Sequence, residues 1–450
     1  MTIPGSELGS APAAPGVAAP GPSPSGRPPA GPPPIPPELL LLRELFADHY
    51  RTTKIPPPPR FGKREFGFLF FDRPGMVRHL GMGSRAQLQQ FLARRVPMHA
   101  YHSTAYYTSP GASTMPEKGW LGADLIFDLD ADHLKNAHLL TFEQMLLSVK
   151  AMAQRLLDDF LIPDLGFGPD HVHVTFSGGR GYHLHVDDPS VQTLESHERR
   201  EIVDYILGTE LLEDRLLDRT AVEPAMERAR PRREESYSIP DPSEGGWRRK
   251  VHDALIELLD AAAAAEGAEA GKGVEMVIAG ISTRLPETPL KDVRALARHL
   301  FSGQYPNRPI DRARQELTLD FGKKEQTILI AFARAYYEVK TGETDVPVTS
   351  DIKRLIRLPG SLHGKTGLAV THVALDALAD FDPLRDAVAL PMEGREITVQ
   401  GTKEETIHLA GQEFRLRPAE DQALPVAAAA FALGRRIARL PTAGPRDQAQ

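Results

Sequence analysis

The run Ala123-Asp124-Leu125-Ile126-Phe127-Asp128-Leu129-Asp130-Ala131-Asp132 constrains this chain more than any other stretch. Leu125, Phe127 and Leu129 alternate with Asp124, Ile126, Asp128 and Asp130, a period of two that reads as a β-strand. Asp128 and Asp130 therefore share a face, above apolar neighbours that pack beneath. Two carboxylates so close repel each other unless a cation lies between them. Hard divalent cations take oxygen ligands, and Mg²⁺ needs few from protein because water and phosphates supply the rest. Taken alone, an Asp-x-Asp is more often a strand end with solvated acids. Two later stretches change that balance.

The first is Ser177-Gly178-Gly179-Arg180-Gly181-Tyr182-His183. It joins His171–Phe176 to Tyr182–Val186, two strand-like runs close enough to pair as an antiparallel hairpin. Glycines let a backbone approach a ligand and turn its N–H groups toward an anion. Ser177 adds a hydroxyl, Arg180 a planar fork suited to phosphate, and His183 a further donor. A plain glycine hairpin with a solvated arginine competes with this reading of a triphosphate cradle. The histidines at 171, 173, 183 and 185 also invite a metal-cluster reading, but a phosphate-facing His183 explains the turn better.

The second runs from Asp345 to Gly367. Val346–Val348 and Leu355–Leu358 read as short strands. Arg354 and Arg357 flank the latter, and a Pro-Gly turn then presents Ser361, His363 and Lys365. With Asp345 as a third carboxylate, the three stretches supply acids for metals and cations for a polyphosphate, the parts of a phosphoryl-transfer site.

Composition narrows the class. At 450 residues the chain can bury a large core, and 41% hydrophobic with 25% charged residues is ordinary for a globular protein. The absence of cysteine excludes disulfides, thiolate zinc sites and cysteine nucleophiles. A net charge of −7 argues against non-specific polyanion binding by the whole chain but leaves room for a local basic groove. No apolar run is long enough to span a bilayer, and no signal peptide is evident, so the expected compartment is the cytoplasm. Residues 1–37, almost all Pro, Gly, Ala and Ser, read as a disordered tail. The rest reads as an α/β catalytic unit over 38–189 and 339–440, interrupted by a mainly helical insertion at 190–338, with 441–450 frayed. Helices are expected at Ser84–Arg95, capped by Ser84, and at Thr141–Leu157, where Thr141 and Gln144 form a capping box. Arg228 through Gly246 reads as a loop.

The three motifs, with Arg64-Glu65-Phe66-Gly67-Phe68, Arg78-His79 and Glu198-Arg199-Arg200-Glu201-Ile202-Val203, resemble the small, catalytic subunit of the archaeal and eukaryotic DNA primases. The similarity spans about residues 38–440, and the wording of the 357–367 stretch points to the archaeal branch. The resemblance implies an α/β (α+β) primase fold with a mixed, RNA-recognition-like sheet and a helical inserted subdomain. It implies DNA-dependent nucleotidyl transfer, making short primers on single-stranded DNA. Asp128, Asp130 and Asp345 would hold two Mg²⁺ or Mn²⁺ ions. Ser177, Arg180 and His183, with Arg357 and His363 opposite, would hold the nucleoside triphosphate. Lys365 and Arg78 would lie close by, Arg78 near the sugar, and Glu65 would be structural. Implied partners are an iron–sulfur large subunit and the template strand, at the nucleoid. One departure stands out: most members carry a cysteine-containing zinc knuckle shortly after the Asp pair, whereas Leu134–Thr141 here has no Cys, so no zinc is expected. A repair polymerase of the same superfamily is the nearest rival. A haloacid-dehalogenase-type phosphohydrolase and an inactive nucleic-acid scaffold fit less well.

Overall fold

A computed structural model of the chain describes residues 34–134, 137–209, 211–212, 215–222, 234–337 and 346–441. Most of the Pro-rich tail, the start of the expected 228–246 loop, Asp345 and the last nine residues lie outside the described residues. The fold is α+β, and the named strands pair antiparallel in several small sheets. Among the described residues no helix is long and apolar enough to cross a membrane.

Two four-stranded sheets build the centre. In the first, strands follow the order Leu355–Arg357, Pro97–Ser103, Phe66–Phe70, Arg73–Leu80. In the second, the order is Thr371–Val373, Val172–Phe176, Gly181–Val186, Leu125–Asp130. The aspartate strand is therefore an edge of its sheet, with the expected hairpin beside it. Leu125, Phe127 and Leu129 are fully buried on one face, as the alternation requires. On the other face Ile126 packs with Ile356 of the first sheet and with Val348, and the rings of His102 and His185 stack at 6.3 Å. The sheets meet through these contacts.

Local chemistry explains the flanking helices. Ser84 accepts a hydrogen bond from Gln87 N–H and starts the helix Arg85–Arg95. Thr141 and Gln144 form the reciprocal capping box on Phe142–Arg155. Leu146, Val149, Met152 and Ala153 of that helix face the core, whereas Leu147 points out, 62% exposed. Helices Gly246–Ala268, Lys272–Arg284, Leu290–Leu300, Pro309–Glu316 and Lys323–Tyr337 pack together beside the sheets. They are anchored by Trp247 against Phe160, with ring centroids 5.8 Å apart, and by a buried ion pair between Lys250 and Asp164 at 2.7 Å. Residues 269–271 form the turn between the first two of these helices.

Two segments differ in kind from their sequence readings. Glu234–Ser238, within the expected loop, is a strand that pairs with Asp218–Val222 and Thr318–Leu319. Val346–Ser350, expected to begin a strand, is a short helix. Pro347 has no N–H to give a sheet and suits the first helical turn. Tertiary packing of Val348 against Ile126 and Ile356 outweighs the β-preference of Val346, Val348 and Thr349.

Candidate active site

Two buried guanidinium groups fix the start of the aspartate strand. Arg199 donates to Ala123 O at 2.8 Å and to Asp124 O at 2.7 Å. Arg64 donates to Asp124 Oδ2 at 2.7 Å and to Ser103 O at 2.6 Å, tying the two sheets together. Both residues belong to the supporting sequence motifs, and their work is architectural.

From that clamp the strand runs to the mouth of a cleft of about 1350 Å³. Asp128 pairs in register with His183, and Asp130 with Gly181. His183 Nε2 lies 3.4 Å from Asp128 Oδ1. Burial holds the His183 imidazole below its ordinary pKa, opposed by Asp128 and supported by Arg357, so it faces Asp128 as a neutral ring. Among the described residues, Asp130 Oδ1 accepts only the N–H of Asp132, at 2.9 Å. Among the described residues no Lys or Arg forms an ion pair with Asp128 or Asp130. Two carboxylates on one face, half-buried and uncompensated, are a donor set that fits hard divalent cations.

The glycine turn fits beneath this edge with no room to spare. A Cβ on Gly181 would stand 2.4 Å from Leu129 O, and one on Gly178, whose φ is +77°, would stand 2.8 Å from His363 Cβ. Ser177 Oγ accepts from the N–H groups of Gly179 and Gly181, at 3.3 and 3.2 Å, and its own O–H has no acceptor among the described residues. Arg180 is steered by an ion pair to Asp132.

The 357–367 stretch closes the cleft from the other sheet. Arg357 Nη1 and Gly364 N–H both donate to His99 Nδ1, at 2.7 and 3.2 Å, which places the His99 proton on Nε2. The Arg357 guanidinium also lies over the Tyr101 ring at 5.2 Å. Thr366 Oγ1 donates to Gly178 O at 2.5 Å and lies 3.2 Å from His363 Nδ1, locking this stretch onto the glycine turn. Burial, then the neighbouring Arg357, pushes the His363 pKa well below its ordinary value. Lys365 is exposed with no acid partner among the described residues, so Thr366, not Lys365, stabilises the turn.

The cleft thus gathers Asp128, Asp130, Ser177, Arg180, His183, Arg357, His363 and Lys365. Arg78 is not among its lining residues; it bonds Glu65 at 3.2 and 3.4 Å. Glu65 is fully buried and also ion-paired to buried Lys118, a structural position. Asp345 lies outside the described residues; among those described, no three His, Asp or Glu side chains are arranged to hold a metal. His171 and His173 turn away to Asp187, at 2.9 and 3.1 Å. The site also includes residues that the motif reading did not assign. Arg354 lines the cleft near His183, and Lys403, Arg435 and Arg436 come from the C-terminal part. Arg354 was legible as a cation flanking a strand, whereas nothing in the local sequence around 403 or 435 points to the cleft.

Comparison with known proteins points to the family that the motifs resemble. Residues 127–375 match the family model for the DNA primase small subunit. The DNA primase small subunit PriS of Methanothrix thermoacetophila is 38% identical over 411 residues, covering 89% of this chain and 98% of the relative. That of Methanocella arvoryzae is 40% identical over 380 residues, covering 83% and 92%. That of Haloarcula marismortui is 38% identical over 399 residues, covering 88% and 96%. A shared motif set, a matching family model and near-full-length relatives leave one assignment: this chain belongs to the DNA primase small subunit family.

Proposed function

We propose that this chain is the catalytic subunit of a DNA primase and joins nucleoside triphosphates into short primers on single-stranded DNA at the cleft described above. The observation that carries the reading is the gathering of two carboxylates without a Lys or Arg partner among the described residues and five cationic or imidazole side chains, from three separate stretches of chain. Asp128 and Asp130, with Asp345 as the third carboxylate, would hold Mg²⁺ or Mn²⁺. Bound there, two such ions would lower the pKa of the attacking 3′-hydroxyl and offset the charge of the departing pyrophosphate.

The protein's own groups would do the positioning. Ser177 O–H and the Arg180 fork would take phosphate oxygens from the hairpin side. Arg357, His363 and Lys365 would do so from the opposite sheet. His183, neutral and facing Asp128, would hold that carboxylate in place without neutralising it. Rigid support from His99 and Thr366 means that little side-chain entropy is lost when the polyphosphate enters. In this reading residues 38–189 and 339–440 form the catalytic unit, with 190–338 as a helical insertion. The partner would be an iron–sulfur large subunit that aids initiation, and the complex would work in the cytoplasm, at the nucleoid.

The test is de novo primer synthesis on single-stranded DNA by the full chain, with and without a large subunit. Asp130→Ala is expected to abolish synthesis while leaving the thermal unfolding midpoint near that of the parent. Substantial polymerisation by that variant would remove Asp130 from the metal set.

A further inference from the structure

The cleft exceeds the roughly 300–1,000 Å³ typical of a site for one small ligand. Part of its lining comes from the C-terminal sheet and from the end of the helix Val426–Gly434. Lys403 and Arg435 there share a single carboxylate, Glu405, at 2.7 and 3.1 Å. Arg436 is exposed and has no acid partner among the described residues. The nearby acids Glu404 and Glu143 are engaged by Arg415 and His408. Glu405 is thus shared between two cations, and Arg436 is the cation of this wall left unpaired among the described residues.

The wall is also built to hold its shape. The Arg435 guanidinium lies 4.5 Å from the Phe142 ring centroid and 5.1 Å from that of Phe431. Arg436 sits just past the helix end with φ +61°, a conformation for which glycine or asparagine is cheaper. The wall adjoins the triphosphate cradle. Arg180 Nη1 is 4.0 Å from Met145 Sδ, and Met145 and Phe142 stand three residues apart on one helix, neighbours on the same face. The two guanidinium groups therefore flank a single turn of helix, close enough for Arg180 to help lower the Arg435 pKa, after burial.

In nucleotidyl transfer the attacking hydroxyl and the departing pyrophosphate lie on opposite sides of the α-phosphorus. The cradle marks the departing side, and the wall adjoins it at Arg180. We propose that Lys403, Arg435 and Arg436 form a second condensed-phosphate site that receives pyrophosphate as it leaves the cradle. This rests on the proposed function, in which Arg180 holds the triphosphate. The site opposes premature return of pyrophosphate to the acids and gives it a path out of the cleft.

The test uses the full chain with Lys403→Gln and Arg436→Gln combined. Both side chains are exposed, so folding is spared; Arg435, packed between two rings, is left alone. Calorimetric titration with inorganic pyrophosphate, in EDTA without divalent metal, is expected to show affinity roughly tenfold weaker than that of the parent, with binding of a single-stranded oligothymidine unchanged. Unchanged pyrophosphate affinity, or an oligothymidine loss that keeps step with it, overturns the proposal. In primer extension, the pyrophosphate inhibition constant should rise more than the nucleotide KM. A rise in KM alone would assign the wall to the incoming triphosphate and overturn the exit role. Asp130→Ala, which tests the catalytic reading, should keep metal-free pyrophosphate binding, so the two readings fail separately.

Discussion

At the scale of single residues, the site depends on how each charged group is partnered. Asp128 and Asp130 face a neutral imidazole and a backbone N–H, so their charge remains available. His363 is the opposite case. Its Nδ1 is held by Thr366, which spends its own proton on Gly178 O, so Nε2 is left without the proton while the ring is neutral. Burial keeps it neutral in the free protein. A polyphosphate beside Nε2 favours the charged ring, so nucleotide binding should take up a proton, and affinity should fall as pH rises. Calorimetry in two buffers of different ionisation enthalpy reads the uptake directly, and His363→Asn should abolish it. Gly181 is constrained by space alone. Gly181→Ala would force a methyl group to within 2.4 Å of Leu129 O and pry the hairpin off the aspartate strand. We expect a stability loss of about 1–3 kcal/mol by urea unfolding, together with loss of primer synthesis.

At the scale of elements, the helix Phe142–Arg155 does two jobs. Its buried face packs on the aspartate sheet, while Phe142 and Met145 support Arg435 and Arg180 at the cleft. The capping box at Thr141 sets its start. Thr141→Ala should cost about 0.5–2 kcal/mol in urea unfolding, and nucleotide KM should rise because the helix end carries the cleft wall. This helix was legible in the sequence because capping and a 3.6-residue period are local signals. The hairpin at 172–186 was legible for the same reason. The segment Val346–Ser350 was not: its β-branched residues argue for a strand, and only its packing partners, far away in sequence, settle the matter. Arg64 and Arg199 show a related limit. Their letters mark them as notable, but a buried structural guanidinium and a phosphate-binding one look alike until their acceptors are known.

At the scale of the whole molecule, the buried charge cluster around Glu65 links the 73–80 strand to the segment that carries Lys118. Burial pushes the Glu65 pKa up, but Lys118, the His79 N–H and Arg78 outweigh it, and the net shift is downward. A carboxylate with a lowered folded pKa adds stability above its unfolded value and loses it as pH falls through the folded one. Glu65→Gln, which strands the buried Lys118, should therefore cost about 3–5 kcal/mol at pH 7. The gap from the parent should shrink once pH drops below the ordinary value of 4.5. Urea unfolding at pH 7 and in mild acid checks both halves. An equal gap at both pH values would mean that the cluster contributes no pH-dependent stability.

The α+β class was legible through resemblance to a known family. The residues by themselves determined the shared face of Asp128 and Asp130, the glycine-arginine hairpin and the basic turn at 357–367. Each of these is set by neighbours within a few residues, through strand alternation, turn sterics and capping. Tertiary structure alone decided that Thr366 locks the turn while Lys365 has no acid partner among the described residues, that Arg78 serves Glu65 outside the cleft, and that Lys403, Arg435 and Arg436 line the same cleft as the acids. Thr366 meets Gly178 from 188 residues away, and even the nearer Arg78–Glu65 contact depends on how two strands pair; the periodicity of a sequence carries no record of which groups will come to share a cavity.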